Sequence, residues 1–124
     1  MLNKTILVVE DDADLLDLLR ELLQMQGYTV LNAGSGREAL QVWETNANSI
    51  DLLLTDLTLP DGVSGVALAV DLKGRKADLK VIYSSGYSLD VAEQKYGLPP
   101  NFSFLQKPFQ PEALWNLVES HLVA

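Results

Sequence analysis

Short apolar runs alternate with amphipathic stretches five times along this chain, and few folds satisfy such a pattern. Ile6–Val9 is apolar, rich in β-branched residues and too short for a helix, so it reads as a buried strand. Leu15, Leu18, Leu19, Leu22 and Leu23 then recur at helical spacing, with Gly27 at the position of a C-terminal helix stop. Tyr28–Leu31 reads as a second strand. Ser35 with Glu38 three residues on forms a capping box that opens a second helix through Ala39, Leu40, Val42 and Trp43.

The later units repeat the theme. Ile50–Thr55 is a third strand ending at Asp56, followed by the turn signal Pro60-Asp61-Gly62 and a helix from Gly65 to Lys73, capped by Ser64 and stopped by Gly74. Lys80–Tyr83 is a fourth strand running into Ser84-Ser85-Gly86, and Ser88 to Tyr96 is a short helix closed by Gly97. Asn101–Leu105 is a fifth strand ending near Lys107-Pro108. Pro111 suits the first position of a last helix whose buried face is Leu114, Leu117, Val118 and Leu122. Strands alternating with helices imply a doubly wound α/β domain, a five-stranded parallel sheet covered on both faces. The 124 residues are expected to form a single domain, residues 1–124.

Composition removes several function classes. Asp and Glu total 17 against 9 Lys and Arg, a net charge of −8 that opposes direct nucleic-acid binding and docking on anionic membranes. Without cysteine there is no disulfide, thiolate metal site or Cys nucleophile, and the one histidine, His121, supports neither a His-rich metal site nor a Ser-His-Asp triad. No stretch reads as a membrane span or a targeting segment, so a cytoplasmic location is expected. Gly34-Ser35-Gly36 is too short for a phosphate loop and reads as a loop before a capped helix.

Ligands of parallel open sheets bind at the carboxyl ends of the strands. The first strand delivers Glu10, Asp11 and Asp12 there, the third Asp56, the fourth Ser85 and the fifth Lys107. Each has a plain alternative: the acids can cap a helix, Asp56 and Ser85 can be loop residues, and Lys107 can be solvated. Together they form one set on one rim. Carboxylates crowded together repel unless a cation stands among them, and an oxygen-only donor set favours Mg²⁺. Such a carboxylate can attack phosphorus, giving an aspartyl phosphate neutralised by the metal and Lys107, with Ser85 as a hydroxyl donor.

These residues resemble the receiver domain of two-component response regulators. The resemblance covers essentially the whole chain and rests on Ile6-Leu7-Val8-Val9-Glu10-Asp11-Asp12, Leu53-Leu54-Thr55-Asp56-Leu57-Thr58-Leu59-Pro60, Ser84-Ser85-Gly86 and Phe104-Leu105-Gln106-Lys107-Pro108-Phe109. It implies a flavodoxin-like receiver fold with Asp56 as phosphoacceptor. Asp11 would bind Mg²⁺ directly, Glu10 through water, and Asp56 and the Thr58 backbone carbonyl would complete the protein ligands. Asp12 would instead cap the first helix. Ser85 and Lys107 would contact the phosphoryl group, a cis peptide would precede Pro108, and Phe104 would be the rotameric switch. Thr58 and Tyr87 stand at the two positions that flank the path of hydrolytic water, so the resemblance implies control of phosphate lifetime there. The implied partners are a histidine kinase or histidine phosphotransfer domain, and a downstream protein on the face of the fourth helix, fifth strand and fifth helix.

Two features depart from the usual receiver. Gly65 follows Asp56 by nine residues rather than eight, and Ser85-Gly86-Tyr87 is paired with the long connection Gly97-Leu98-Pro99-Pro100-Asn101. Both resemble receivers of hybrid sensor histidine kinases. With no kinase signature and no DNA-binding helix, the sequence reads as a single-domain regulator or an excised receiver. Three competing readings remain. A haloacid-dehalogenase-like phosphohydrolase would want an acid where Thr58 stands; a flavodoxin-like binding module would want a Ser/Thr/Gly loop where the chain has three acids; an unphosphorylated docking pseudo-receiver would not need Asp56, Asp11 and Lys107.

Overall fold

The computed structural model describes residues 3–99 and 102–122. Ten elements alternate along it: β1 (Thr5–Val9), α1 (Ala13–Met25), β2 (Thr29–Ala33), α2 (Gly36–Asn46), β3 (Ile50–Asp56), α3 (Gly65–Arg75), β4 (Lys80–Ser85), α4 (Leu89–Tyr96), β5 (Ser103–Gln106) and α5 (Pro111–Leu122). The strands form one parallel sheet in the order β2-β1-β3-β4-β5.

Side chains of successive strand residues point to opposite faces, and each face has its own helices. Leu7, Val9, Leu53 and Tyr83 pack with Ala39 and Trp43 of α2, Leu68 and Leu72 of α3 and Ala92 of α4. Ile6, Val8, Leu52, Leu54 and Ile82 pack with Leu19 and Leu23 of α1 and Leu114 and Val118 of α5. Trp115 Nε1 donates to the Leu22 carbonyl across 2.8 Å and ties α5 to α1. Burial on both faces explains why the strands read as unbroken apolar runs.

Three helix starts follow the expected caps, and Ser88, read as the first residue of its helix, caps it instead. The Asp12 carboxylate accepts from the Asp14 and Leu15 amides, Ser35 Oγ from Glu38, Ser64 Oγ from Ala67 and Ser88 Oγ from Val91. Glu38 answers by accepting from the Gly34 amide at 3.0 Å. Gly27 and Gly97 adopt φ of 90° and 62°, the left-handed conformation that ends α1 and α4. Pro111 is the first residue of α5, and the Lys107–Pro108 peptide is cis.

Four expectations shift. Gly74 does not stop α3, which runs on to Arg75, because an isolated glycine inside a helix costs only about 1 kcal/mol. The second strand is Thr29–Ala33 rather than Tyr28–Leu31, since pairing with all of β1 carries it two residues further. Leu18 is 47% exposed although it shares the spacing of the α1 stripe, as the buried part of that stripe is narrower than its apolar part. The fifth strand begins at Ser103; Asn101, where the pattern places its start, and Pro100 lie outside the described residues.

Candidate functional site

The parallel sheet places the carboxyl ends of β1, β3, β4 and β5 on one rim, and backbone bonds fix each of them there. The Glu10 amide donates to Ala33 O, Leu57 to Ser84 O and Lys107 to Ser85 O, the last at 2.8 Å. One carboxylate oxygen each from Glu10, Asp11 and Asp56 lie within 4.8 Å of one another. Their environments differ sharply. Glu10 is buried at 3% exposure, Asp56 is part-buried and Asp11 is exposed.

Lys107 stands among them. Its Nζ donates to Glu10 Oε1 at 2.5 Å and to Asp56 Oδ2 at 3.0 Å. Burial pulls the ammonium's pKa down, but its hydrogen bonds to Glu10 and Asp56 outweigh that and raise it above the ordinary lysine value. Burial pushes the Glu10 carboxyl up, and the bonds from Lys107 and the Asp12 amide offset only part of that. The spacing of the sequence brought Glu10 to the rim but did not show this pairing. Its only sequence signal is that an acid directly following a fully buried strand needs a cation.

Ser85 and Thr58 are also at the rim, whereas Phe104 lies two positions back along β5. Ser85 is buried and its Oγ accepts from the Tyr87 amide at 3.1 Å, which leaves its own proton to donate. The neighbouring Ser84 is engaged elsewhere, its Oγ donating to Leu105 O at 2.9 Å. Thr58 is exposed, and its amide donates to Asp56 Oδ1 at 3.3 Å. Phe104 is half-buried on β5 opposite Tyr83. Tyr87 is 42% exposed, with the Lys95 ammonium 5.7 Å from its ring centroid.

Tyr96 was not singled out from the sequence. Its hydroxyl hydrogen-bonds Thr58 Oγ1, joining the end of α4 to the loop after Asp56. Helical packing gives a tyrosine near a C-terminus no special role, so no sequence signal could have found it.

The longer loop between β3 and α3 is held at two points. The Asp61 carboxylate accepts from the Arg37 amide at 2.7 Å, and that bond holds it below the usual carboxylate range. At the loop's far end the Gly65 amide donates to Leu57 O at 2.9 Å, and a Cβ on Gly65 would stand 2.0 Å from the Asp56 carbonyl oxygen. Only glycine permits that approach.

The arrangement is an oxygen-only donor cluster, a fixed cation and a free hydroxyl around one carboxylate. It suits a hard divalent ion and the stabilisation of a phosphoryl group. Fold and rim together define a phosphoacceptor signalling domain of the flavodoxin-like kind. The profile of the response regulator receiver domain matches residues 6–119, and the chain belongs to that family.

The sensor kinase CckA of Brucella abortus is 36% identical over 97% of this chain and 13% of its own length. The crystal structure of a receiver domain from hybrid histidine kinase CckA covers 95% of this chain and 98% of its own, at 34% identity and TM-score 0.80. The response regulator TrrA of Thermotoga maritima, in complex with Mg²⁺-BeF, covers 96% of this chain and 99% of its own, at 31% identity and TM-score 0.79. The chain spans about half the length or less of the curated relatives it matches. Among the described residues no helix is long and apolar enough to cross a membrane.

Proposed function

We propose that Asp56 is the phosphoacceptor of a phosphorelay, receiving the group from a phosphohistidine on a histidine kinase or histidine phosphotransfer domain. An Asp56 oxygen attacks phosphorus, the P–N bond to histidine breaks, and an acyl phosphate forms. The observation that carries this is Lys107 Nζ held 3.0 Å from Asp56 Oδ2 inside the Glu10, Asp11 and Asp56 cluster. The donor set fits Mg²⁺, which Asp11, Asp56 and the Thr58 carbonyl would hold, with Glu10 supporting it through water. When bound, the ion supplies positive charge that lets a carboxylate approach an anionic phosphoryl group. Lys107 neutralises a phosphoryl oxygen, and the Ser85 hydroxyl donates to another. The chain itself thereby assists both gain and loss of the group.

The Asp56 side chain is 12% exposed, and in this reading Thr58 and Tyr87 flank the path by which hydrolytic water would reach it. Neither side chain carries an acid or amide to orient that water, which favours a long-lived phosphate. Ser85 drawn toward the phosphoryl group gives Phe104 room to turn inward, and the face of α4, β5 and α5 repacks. Tyr87, Leu89 and Val91 expose apolar surface at the start of α4, as suits a downstream protein surface there. The working place of such a domain is the cytoplasm, where histidine kinases are charged from ATP. A phosphohydrolase is disfavoured because Thr58, paired to Tyr96, stands where its general acid is needed.

Incubation with acetyl phosphate and Mg²⁺ is expected to add one phosphate mass increment to wild type and none to Asp56→Ala. The same increment on Asp56→Ala would overturn the assignment.

A further inference from the structure

At the opposite end of the sheet from the acidic cluster, a cavity of about 500 Å³ opens between α3, β4 and the end of α5. It lies just past the C-terminal end of α4. Eight residues and the left-handed Gly97 end that helix early, and Pro99 and Phe102 border the space beyond it. Val81 and Tyr83 of β4 and Phe102 give it an apolar floor and wall. On the α3 side Val70 is left 60% exposed, and a Cβ on Gly74 would meet nothing within 4 Å.

Its charge runs against that of the chain. Although acids outnumber Lys and Arg by 17 to 9, among the described residues the cavity is lined by Lys73, Lys80 and His121 and by no carboxylate. Lys73 Nζ is anchored at the rim by donating to Leu79 O at 2.8 Å, while His121 Nε2 pairs with Ser103 Oγ at 2.8 Å. Burial, and then the charges of Lys80 and Lys73, hold the His121 imidazole below the ordinary histidine range. Among the described residues the groups that face it are Lys80, Lys73 and Ser103, so the field they set up there is positive. A space of this size, with an apolar floor and two lysines at its edge, has the anatomy of a small-molecule site.

We propose that this groove binds a small amphiphilic organic carboxylate, its apolar body against Val81, Tyr83 and Phe102 and its anionic head at Lys80 and His121. One lysine with no partner among the described residues and one histidine suit a single anionic group rather than a polyphosphate. Nothing in the phosphoacceptor site takes part.

The probe is 4-phenylbutyrate, titrated into isotope-labelled protein, with 4-phenylbutanamide as its neutral counterpart. Saturable shifts are expected at Val70, Val81 and the His121 ring, with the His121 pKa rising as the anion binds. The amide is expected to bind roughly tenfold more weakly, a difference of about 1.4 kcal/mol. Lys80→Gln is expected to weaken the acid about fivefold. Gly74→Leu is expected to fill the groove and abolish binding. Normal acetyl-phosphate labelling of both variants verifies that they fold. Equal affinity for acid and amide, binding that survives Gly74→Leu, or no saturable shift at millimolar probe would each overturn the proposal. So would shifts at these residues that appear on raising protein concentration alone, which would assign the groove to a second copy of the chain.

Discussion

Two glycines lie in one helix, and the same substitution is expected to act on them with opposite signs. In Gly65→Ala the new Cβ would stand 2.0 Å from Asp56 O, 2.9 Å from Asp56 C and 3.1 Å from Leu57 Cα. All three are backbone atoms, so no side-chain rotation relieves the overlap. The start of α3 must move away from the end of β3, and close-packed interiors resist that. Overpacking of this kind costs about 1–3 kcal/mol, and strain in the Gly65 N–Leu57 O bond, 2.9 Å in the native chain, adds about 1 kcal/mol. A total of about 3 kcal/mol corresponds to a fall in Tm of roughly 10 °C for a domain of this size. In Gly74→Ala the Cβ meets nothing within 4 Å. Higher helix propensity and a less flexible unfolded chain stabilise it by about 0.5–1 kcal/mol. Thermal unfolding by circular dichroism reads both, and acetyl-phosphate labelling reads the Asp56 position, which Gly65→Ala alone is expected to impair. A Gly65→Ala protein melting with wild type, or a destabilised Gly74→Ala, would refute the reasoning.

Other perturbations test the rim and its surroundings. Asp11→Asn removes one charge and one metal ligand, and is expected to slow Asp56 phosphorylation about a hundredfold, about 2.7 kcal/mol of transition-state stabilisation; unchanged kinetics would exclude Asp11 from the site. The same variant is expected to melt slightly higher in metal-free buffer, because repulsion within the cluster is relieved. Lys107→Ala leaves the buried Glu10 without its cation, so it is expected to lose about 2–3 kcal/mol at neutral pH. It is also expected to keep detectable phosphorylation while losing the phosphorylation-dependent change in hydrogen exchange, and a wild-type exchange response would count against its signalling role. Tyr87→Ala, Thr58→Asn and Tyr96→Phe, which frees the Thr58 hydroxyl, are each expected to shorten the phosphate half-life; equal half-lives would sink the shielding role. His121 has a lowered pKa in the folded state, so the unfolded chain binds more protons in the window between that value and the ordinary histidine one. Its contribution to stability is present above the ordinary value and lost as pH falls through the window. His121→Gln is expected to flatten the fall in Tm between neutral pH and about pH 5 relative to wild type, and parallel curves would contradict it.

Much of this protein is local and therefore legible along the chain. Helix starts depend on a residue and the amides two or three positions on, so Asp12, Ser35, Ser64 and Ser88 announce them. Strand ends are marked by the change from apolar to polar residues, which is why Glu10, Asp11, Asp56, Ser85 and Lys107 could be read as one rim. Boundaries set by a partner strand were less legible, as β2 shows: its last residues are strand because β1 offers hydrogen bonds there.

Tertiary structure decided what depends on distance in space rather than in sequence. A strand buried on both faces carries no alternation from which its neighbours can be read, so the order β2-β1-β3-β4-β5 comes from packing and connection. The bond between Lys107 and Glu10 spans 97 positions, and that between Thr58 and Tyr96 spans 38. The sequence marks Gly65 as a helix start and Gly74 as a helix stop, but only the approach of β3 to α3 makes the first indispensable and leaves the second facing open space. The basic groove is of the same kind, since Lys73, Lys80 and His121 lie on three elements, α3, β4 and α5, that only the folded chain brings together. Sequence determines which groups are present and their local backbone conformation. Which of those groups meet is settled by the cooperative packing of distant elements.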